Sequence, residues 1–409
     1  MALSWSGIDS YIGNFGSSEL TSHRPCPICG SIKSKVVFEI SDFQFFSDSY
    51  ENPKRVNIRE CQCMNCFAIY LNPCYSNYGF QVLFAEASKS YGSSEGHADE
   101  EIAWLMERNL LPNGSTVLDV GCYDGRFLAK MPNDVKKIGV DIDEQAINSG
   151  RQMFQDQDID FVLGDFENFQ IRSSPNLITM FHVLEHLSHP TAVMNTLRRV
   201  SNSETNLVLE VPIIENGATD DINGFFSVQH MTHFSRNSLK NCLALSGWRV
   251  IEWCEQSDYN GCRILAEPCE KLSIYDGGSQ DVPLLHEYLS GWHEALCRAN
   301  SKISAHRDVM NFVIWGAGLH TEFLYNTTSF FHANRKCLFI IVDSDEMKHK
   351  KTWRGISIYA PSVLKEIDWF HSSLLISSYS SQESIADAAH YLGVPDDRII
   401  RLYDAIHAY

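Results

Sequence analysis

A glycine-rich turn with acidic side chains stands where a buried strand passes into a helix. Residues 115–128 read Ser-Thr-Val-Leu-Asp-Val-Gly-Cys-Tyr-Asp-Gly-Arg-Phe-Leu, with the apolar run first and the turn after it. Small residues in such a turn let the backbone approach a ligand closely. A dinucleotide site favours Gly-x-Gly-x-x-Gly, whereas the carboxylates of this turn would repel a pyrophosphate and suit a cationic amino-acid ligand. Asp119, Gly121, Asp124 and Gly125 therefore predict a site for S-adenosylmethionine (SAM) in preference to NAD.

Three later strand ends carry side chains that suit the other parts of the same ligand. Asp141 ends the second predicted strand and is placed to accept hydrogen bonds from ribose hydroxyls. Asp165 and Phe166 end the third strand, where an acidic side chain can meet the adenine amino group. His182 ends the fourth strand and is expected to line the cofactor pocket.

Five predicted strands, separated by helical stretches, must position these side chains. They begin at residues 115, 137, 161, 176 and 206. Alternation of strand and helix predicts a parallel sheet with its ligand at the carboxyl ends of the strands. Two further segments, 248–253 and 263–266, predict an antiparallel hairpin that closes the sheet.

Four cysteines near the amino terminus have the spacing of a zinc site. Cys26-Pro-Ile-Cys29 and Cys63-Met-Asn-Cys66 are two Cys-x-x-Cys turns, and two such turns that face each other hold zinc tetrahedrally. Cys61 is an alternative ligand, but it leaves a wider interval to Cys66. Four protein thiolates leave no open position, so the predicted zinc is structural and not catalytic. The alternative is a set of reduced cysteines without metal.

These motifs resemble class I SAM-dependent methyltransferases, and the wider chain resembles the sugar C-methyltransferases that have a zinc-binding amino-terminal domain. Besides the cysteine turns, the resemblance rests on Tyr70-Leu-Asn-Pro73, Val117-Leu-Asp-Val-Gly121, His182-Val-Leu-Glu-His186 and His230-Met-Thr-His-Phe-Ser235. It implies an α/β fold in three parts. These are a zinc-ribbon-like domain over residues 1–80, a Rossmann-like methyltransferase domain over 81–270 and a carboxy-terminal Rossmann-like α/β domain over 271–409.

By this resemblance, His230 occupies the position of the catalytic base. The family segment reads roughly Tyr-His-Glu-His-x-x-Tyr-Phe-Ser, and four of its residues are replaced here, by Ser227, Val228, Gln229 and His233. The replacements leave both C-methylation and O-methylation open, because His230 suits either reaction. Tyr91 matches a family tyrosine that reaches into the cofactor or substrate site. The alternatives are a buttressing role for His230 and an ordinary polar loop around Tyr91.

The segment His182-Val-Leu-Glu185-His186 also fits the His-x-x-Glu-His pattern of inverted zinc peptidases. A peptidase needs these residues on one helix, together with another carboxylate ligand. Because His182 is expected to end a strand, we favour a pocket role for His182. Glu185 and His186 are then expected to begin the next helix or to orient the substrate loop.

A second pair of glycines lies near the carboxyl end of the chain. Gly316-Ala-Gly318 follows an apolar strand, and a second strand, 338–342, ends in Asp343. Thr321 stands where a dinucleotide fingerprint has its third glycine, which weakens a prediction of NAD binding. The resemblance implies a domain that helps to hold the substrate. A purely structural domain and a dehydrogenase are the alternatives.

Composition sets bounds on the partners of the chain. With 409 residues and a net charge of −18, the chain predicts two or three domains and is a poor match to nucleic acid or an anionic membrane surface. The odd count of 13 cysteines favours free thiols in a reducing compartment. No secretory signal and no membrane helix are predicted, so a cytoplasmic location is expected. Residues 276–283 read as a linker.

Together these patterns predict a SAM-dependent methyltransferase that methylates a carbon atom of a nucleotide-activated ketosugar. O-methylation of a sugar or other small metabolite is the alternative, and a non-catalytic SAM-binding interaction module is a remote one. In either reaction the protein must position a nucleophile and remove its proton. The expected ligands are SAM, one structural zinc ion and a small-molecule substrate.

Overall fold

The amino-terminal part of the chain builds a small antiparallel sheet around the cysteine turns. The structure, a computed structural model, describes residues 3–7, 19–45, 54–84, 97–254, 259–273, 280–306, 309–334 and 336–406. None of the helices within these ranges combines the length and apolar character needed to cross a membrane. The first elements are β1 (Thr21–Ser22), β2 (Ser34–Gln44), β3 (Arg55–Cys63), β4 (Ile69–Leu71), β5 (Cys74–Tyr75) and α1 (Asn77–Phe84).

The central part alternates helices and strands, as predicted. Its first elements are α2 (His97–Glu107), β6 (Thr116–Val120), α3 (Arg126–Lys130), β7 (Lys136–Asp141), α4 (Glu144–Met153), β8 (Ile159–Leu163) and β9 (Leu177–Phe181). The next are α5 (Pro190–Val200), β10 (Asn206–Pro212), β11 (Thr232–His233), α6 (Arg236–Leu245), β12 (Trp248–Cys254) and β13 (Gly261–Pro268).

Seven of these strands form one sheet in the order β12-β13-β10-β9-β6-β7-β8. The five from β10 to β8 are parallel, and β13 runs antiparallel to both β10 and β12. This confirms the predicted parallel sheet and its closing hairpin. Leu118 of strand β6 packs into the core on one face of the sheet, and Val117 packs into the core on the other face. Because both faces are buried, the strand is almost continuously apolar.

The carboxy-terminal part contains a second parallel sheet. Its elements are α7 (Asp281–Ser304), β14 (Asn311–Trp315), α8 (Leu319–Thr327), α9 (Phe330–Ala333), β15 (Leu338–Val342), β16 (Thr352–Trp353), β17 (Ile356–Tyr359), β18 (Ser372–Ile376), α10 (Gln382–Tyr391) and β19 (Ile399–Ile400). The strand order is β16-β17-β15-β14-β18-β19, in which only β16 pairs in antiparallel fashion.

The predicted linker is wrong at its end. Residues 281–283 form the first turn of α7. Pro283 is compatible with that position, because the first N–H groups of a helix have no partner within the helix.

The three parts of the chain share their hydrophobic cores. Phe43 and Ile58 of the amino-terminal sheet lie in one core with Trp292 of α7 and Phe312 of the carboxy-terminal sheet. Strand β11, which lies between β10 and α6 in the chain, pairs with β4 of the amino-terminal sheet. The segment that carries His230 is therefore held by two parts of the chain.

Candidate active site

The turn after β6 requires its two predicted glycines. Gly121 and Gly125 have φ angles of +83° and +79°, in the left-handed region that disfavours other residues. A Cβ atom on Gly121 would stand 2.3 Å from Cγ2 of Val183, and one on Gly125 would stand 2.5 Å from the ring of Phe161. A side chain at either position would therefore push the turn away from the sheet.

Three of the predicted acidic residues are buried around this turn. Asp119 accepts a hydrogen bond from the Thr179 hydroxyl at 2.7 Å, and burial raises the pKa of its carboxyl to about 7. Asp141 accepts backbone N–H groups from Tyr123 at 2.7 Å and from residue 143 at 2.9 Å. Each Asp141 oxygen keeps a further lone pair for a ligand hydroxyl. Asp124 forms an ion pair with Arg126 at 2.9 Å.

Asp165 and Phe166 lie beside this group at the next strand end. Asp141 pairs with Leu163 in the parallel ladder, and the Asp141 carbonyl accepts the Gly164 N–H at 3.0 Å. Asp165 is exposed, whereas Phe166 is buried in the core below. The structure thus brings the predicted SAM-binding residues to one edge of the sheet.

His182 stands at the same edge, directly after β9, with a φ of +54°. Its Nε2 lies 3.0 Å from a carboxylate oxygen of Glu210, and its Nδ1 lies 3.4 Å from one of Glu185. Burial disfavours the charged imidazolium, but these two carboxylates outweigh it and raise the pKa of His182 to about 10. His182 is therefore a cation near neutral pH. It does not continue into a helix, so the peptidase arrangement does not form.

Glu210 is the centre of a hydrogen-bonded network beside His182. It receives Nε of Arg263 at 2.6 Å and the Tyr259 hydroxyl at 2.8 Å, and Nε2 of His97 lies at 3.2 Å. Burial alone would raise the pKa of Glu210, but His182, His97 and Arg263 together lower it. The network therefore holds a carboxylate in its charged form next to the predicted cofactor edge.

A second cluster of polar side chains consists of Glu185, His186 and His230. The Glu185–His186–His230 cluster offers one carboxylate oxygen and two ring nitrogens, all within 4.8 Å of one another. Nδ1 of His186 bonds to the Gln229 carbonyl at 3.0 Å, and the Met231 N–H donates to the Glu185 carbonyl at 2.7 Å. These bonds fix the turn after β9 against the segment that carries His230.

The imidazole of His230 is neutral. Burial, followed by the neighbouring rings of His186, His233 and His182, lowers the pKa of His230 well below its usual value. His233 itself is buried 3.0 Å from a carboxylate oxygen of Glu60 on β3. A neutral imidazole has a free lone pair, which can accept a proton or bind a metal.

Residues 95–252 match the family model described as a methyltransferase domain. The chain carries a class I SAM-dependent methyltransferase domain. The match spans the glycine turn, the strand-end acids and both histidine clusters, and it confirms the prediction of such a domain. No curated protein is significantly similar to the chain.

Three solved structures that resemble the chain each cover less than half of its length. A SAM-dependent methyltransferase from Clostridium acetobutylicum is 10% identical, covers 47% of this chain and 98% of its own, and has a TM-score of 0.37. The N-methyltransferase NodS from Bradyrhizobium japonicum is 16% identical, with 43% and 99% covered and a TM-score of 0.35. Magnesium protoporphyrin IX methyltransferase from Synechocystis, solved with bound SAM, is 17% identical, with 44% and 88% covered and a TM-score of 0.32.

The four predicted zinc ligands come together next to the methyltransferase domain. The thiol sulfurs of Cys26, Cys29, Cys63 and Cys66 all lie within 4.8 Å of one another. Cys26 Sγ is 3.5 Å from Cys66 Sγ, and Cys29 Sγ is 3.6 Å from Cys63 Sγ. Cys61 stands apart from this group and points its thiol toward the Asn72 carbonyl.

Several polar residues of the methyltransferase site were not predicted from the sequence. They are His97, Glu101, Glu210, Tyr259 and Arg263. Burial, followed by the charge of Glu210, raises the pKa of Glu101 to about 7. One signal was available, since Glu210 interrupts the apolar strand Leu-Val-Leu-Glu-Val. Tyr91, a predicted catalytic residue, lies outside the described residues.

Proposed function

We propose that the chain transfers a methyl group from SAM to a carbon atom of a small acceptor, a nucleotide-activated ketosugar. The observation that carries this proposal is the position of the Glu185–His186–His230 cluster next to the sheet edge that carries Asp119, Gly121 and Asp141. There Val183, which packs on Gly121, is followed by Glu185 within the turn after β9. The acceptor class rests on the resemblance to sugar C-methyltransferases.

The side chains at this sheet edge match the parts of SAM. Bound SAM would supply an electrophilic methyl group on a sulfonium sulfur. The glycine turn would admit its amino-acid part, with Asp119 close enough to attract the ammonium group. Asp141 would accept hydrogen bonds from the ribose hydroxyls, and Asp165 one from the adenine amino group, beside Phe166.

The acceptor must lose a proton as it attacks the methyl carbon. We assign that loss to the Glu185–His186–His230 cluster, where the sequence predicted His230 as the base. A bond forms between the acceptor atom and the methyl carbon, while the carbon–sulfur bond breaks and its electron pair stays on sulfur. His182, held as a cation between Glu185 and Glu210, would stabilise negative charge that develops on an acceptor oxygen.

O-methylation is the second candidate. Ser227, Val228, Gln229 and His233 replace the residues that accompany the base in the C-methylating family. A hydroxyl acceptor needs only deprotonation and orientation, whereas a carbon acceptor also needs donors for an enolate. Without the family residues that these four replace, the Glu185–His186–His230 cluster still has enough groups for O-methylation, the simpler reaction.

We also propose one structural zinc ion on the four thiols. Zinc–sulfur bonds of about 2.3 Å in a tetrahedron place the sulfur atoms about 3.8 Å apart. The observed separations of 3.5 and 3.6 Å are close to that value. The Asn65 N–H also donates to Cys63 Sγ at 3.3 Å, a contact that favours a thiolate.

The reaction can be tested with a panel of nucleotide sugars and isotopically labelled SAM. Mass spectrometry is expected to find the label on one sugar, and fragmentation distinguishes a methyl group on carbon from one on oxygen. Calorimetry with SAM is run in parallel. SAM binding without transfer to any small molecule would favour the non-catalytic module.

His230→Ala is expected to lower turnover by about 10²–10⁴-fold, the usual cost of losing acid–base assistance. SAM affinity should stay unchanged, because His230 lies on the acceptor side. His189→Ala is a matched control, since that imidazole is 61% exposed and pairs with Glu167. Near-normal turnover of the His230 variant between pH 6 and 8 would move the role to another residue. Loss of SAM binding would make His230 a pocket residue.

A further inference from the structure

We infer that Glu185, His186 and His230 bind a divalent transition-metal ion, distinct from the zinc proposed on the thiols. The inference rests on the proposed function only in its last step, where the ion acts on the acceptor. Two histidines and one carboxylate are a donor set that zinc, cobalt and iron bind in proteins. The one carboxylate oxygen and two ring nitrogens already lie within 4.8 Å of one another.

Glu185 is the observation that points to a cation. Its side chain is 2% exposed, and within the described part of the chain neither carboxylate oxygen receives a hydrogen bond. A buried carboxylate that accepts no hydrogen bond is costly, and a metal ion bound between it and the neighbouring histidines would satisfy it. Among the described basic side chains, Nδ1 of His182 lies 3.4 Å and Nε2 of His186 lies 4.0 Å from a Glu185 carboxylate oxygen.

The second observation is the orientation of His186. A carbonyl oxygen has no proton to give, so the contact between His186 Nδ1 and the Gln229 carbonyl at 3.0 Å requires that Nδ1 carry the hydrogen. Nε2 then carries the lone pair, and it is Nε2 that faces Glu185. A backbone carbonyl that fixes the outer nitrogen of a ligand histidine is a common arrangement around metals.

The distances are close to those of a bound ion. Metal–ligand bonds of about 2.0–2.2 Å in a tetrahedron separate two ligand atoms by about 3.4 Å. His186 Nε2 and Glu185 Oε1 are 4.0 Å apart, so a small rotation of either side chain brings them to that separation. The backbone around them is held in place, because Arg24 donates to the carbonyls of Ser188 and Met231 on both sides of the cluster.

The neighbouring group of His97, His182 and Glu210 is a weaker metal site, although its ligand atoms are equally close. Arg263 already contacts Glu210 at 2.6 Å, and Tyr259 donates to it at 2.8 Å. The guanidinium supplies the positive charge that a metal ion would supply. Glu210 therefore has close hydrogen-bond donors of its own, whereas the Glu185 carboxylate accepts no hydrogen bond from the described residues.

Three protein ligands leave a position open on the ion, in contrast to the four thiols. An acceptor that binds there through a hydroxyl or keto oxygen would have the pKa of that hydroxyl, or of the neighbouring C–H group, lowered. Its proton would leave to solvent water. His230 would then assist as a metal ligand and not as a free base.

Cobalt substitution tests the site without any turnover. The full chain is produced in zinc-depleted medium supplied with Co²⁺, so that cobalt takes the place of zinc, and bound cobalt is counted after gel filtration. Two equivalents are expected. One gives the intense near-ultraviolet band of thiolate-to-cobalt charge transfer, and the other gives only weak visible bands, because nitrogen and oxygen ligands lack that transition. One equivalent, with the thiolate band alone, would overturn the inference.

Glu185→Gln, His186→Gln and His230→Gln are each expected to lose the second equivalent and keep the thiolate band. Glu185→Gln preserves the shape of the side chain, so it guards against a variant that only misfolds. His189→Gln, on an exposed histidine three residues beyond His186, should keep both equivalents. Retention of two equivalents in all three cluster variants would refute the assignment.

Activity then separates this inference from the proposed function. If the ion assists the reaction, His186→Gln should lower turnover at least tenfold with SAM affinity unchanged. Added metal should restore the activity of the metal-depleted wild-type chain but not that of the variant. Two metal equivalents in a chain that methylates no acceptor would overturn the proposed function and uphold the metal site. Full turnover in His186→Gln would overturn the role of the ion and leave methyl transfer intact.

Discussion

Asp119 illustrates how burial sets the chemistry of a single residue. Its carboxyl lies at the edge of the central sheet, where burial raises its pKa to about 7 despite the hydrogen bond from Thr179. Only the ionised form attracts the ammonium group proposed to lie beside it. The carboxylate is therefore mostly formed above pH 7 and mostly lost below it.

We expect SAM to bind about tenfold more weakly at pH 6 than at pH 8, the change in the ionised fraction of one carboxyl with a pKa near 7. Asp119→Asn should bind weakly at both pH values and remove the dependence. Calorimetry at the two pH values measures both. A pH-independent affinity in the unmodified chain would place the ammonium group elsewhere.

Asp141→Ala should weaken SAM binding by about 1–3 kcal/mol, because the ribose hydroxyls lose their acceptor. Asp160→Ala is the control, since Asp160 is exposed on the neighbouring strand β8. Isothermal titration of both variants gives the comparison. Equal affinities in the two variants would contradict the placement of the ribose.

At the residue scale, the sequence predicted the parts of the site that are local. Asp119, Gly121 and Gly125 are found because one turn contains them all. His97 and Arg263 meet at Glu210 from opposite ends of the domain, and no spacing in the sequence indicates that they do. That the Glu185 carboxylate accepts no hydrogen bond from the described residues likewise depends on contacts that exist only in the folded chain.

Among the elements, α8 is tied to the amino-terminal sheet through one buried carboxylate. Glu322 receives the Gln44 N–H at 2.9 Å, Nε1 of Trp353 at 3.0 Å and Nε of Arg354 at 3.0 Å. Burial opposes the charge of Arg354, but Glu322 outweighs it and raises the pKa of the guanidinium. The two charges therefore depend on each other.

Glu322→Ala should lower the free energy of unfolding by about 3 kcal/mol, because the buried Arg354 would lose its nearest counter-charge and keep only the longer ion pair with Asp42 at 3.5 Å. Glu322→Gln should cost less, since an amide oxygen still accepts hydrogen bonds. Urea denaturation measures both, with the exposed Glu346→Ala as the control. A Glu322→Ala chain as stable as this control would show that the pair contributes nothing net.

The sequence predicted those elements whose signal is continuous along the chain. Strands β6, β9 and β10 are apolar runs that both faces of the sheet bury, and they appear where expected. Strand β11 has two residues and a partner, β4, that is distant in sequence. Its pairing depends on tertiary contacts, which no local pattern encodes.

On the scale of the whole molecule, the thiol cluster is part of the core of the methyltransferase domain. Cys26, Cys63 and Cys66 are buried in the same hydrophobic cluster as Ile178 and Met180 of β9. Arg24, two residues before Cys26, donates to the carbonyls of Ser188 and Met231. A change at the thiols, such as loss of bound metal, is therefore expected to shift the segments that carry Ser188 and Met231 near His230.

Cys29→Ser is expected to remove one metal equivalent and to lower the melting temperature of the whole chain, because metal binding contributes directly to folding. Cys297→Ser is the control, since that cysteine is exposed on α7. Metal analysis and calorimetric melting are measured on both. A metal-free Cys29→Ser chain with the melting temperature of the control would rule out a structural zinc.

The pairing of β11 with β4 limits how far the methyltransferase domain can be exchanged as a module. The family match begins at residue 95, yet the Met231 carbonyl accepts the Leu71 N–H at 3.1 Å, and Glu60 lies against His233. A shortened chain that began at the match would lose the supports of His230 and, with the thiol cluster, part of the core that packs on β9. Grafting a foreign amino-terminal segment would change the supports of His230 and this shared core together. The amino-terminal segment and the methyltransferase domain are therefore expected to be exchangeable between chains only as one unit.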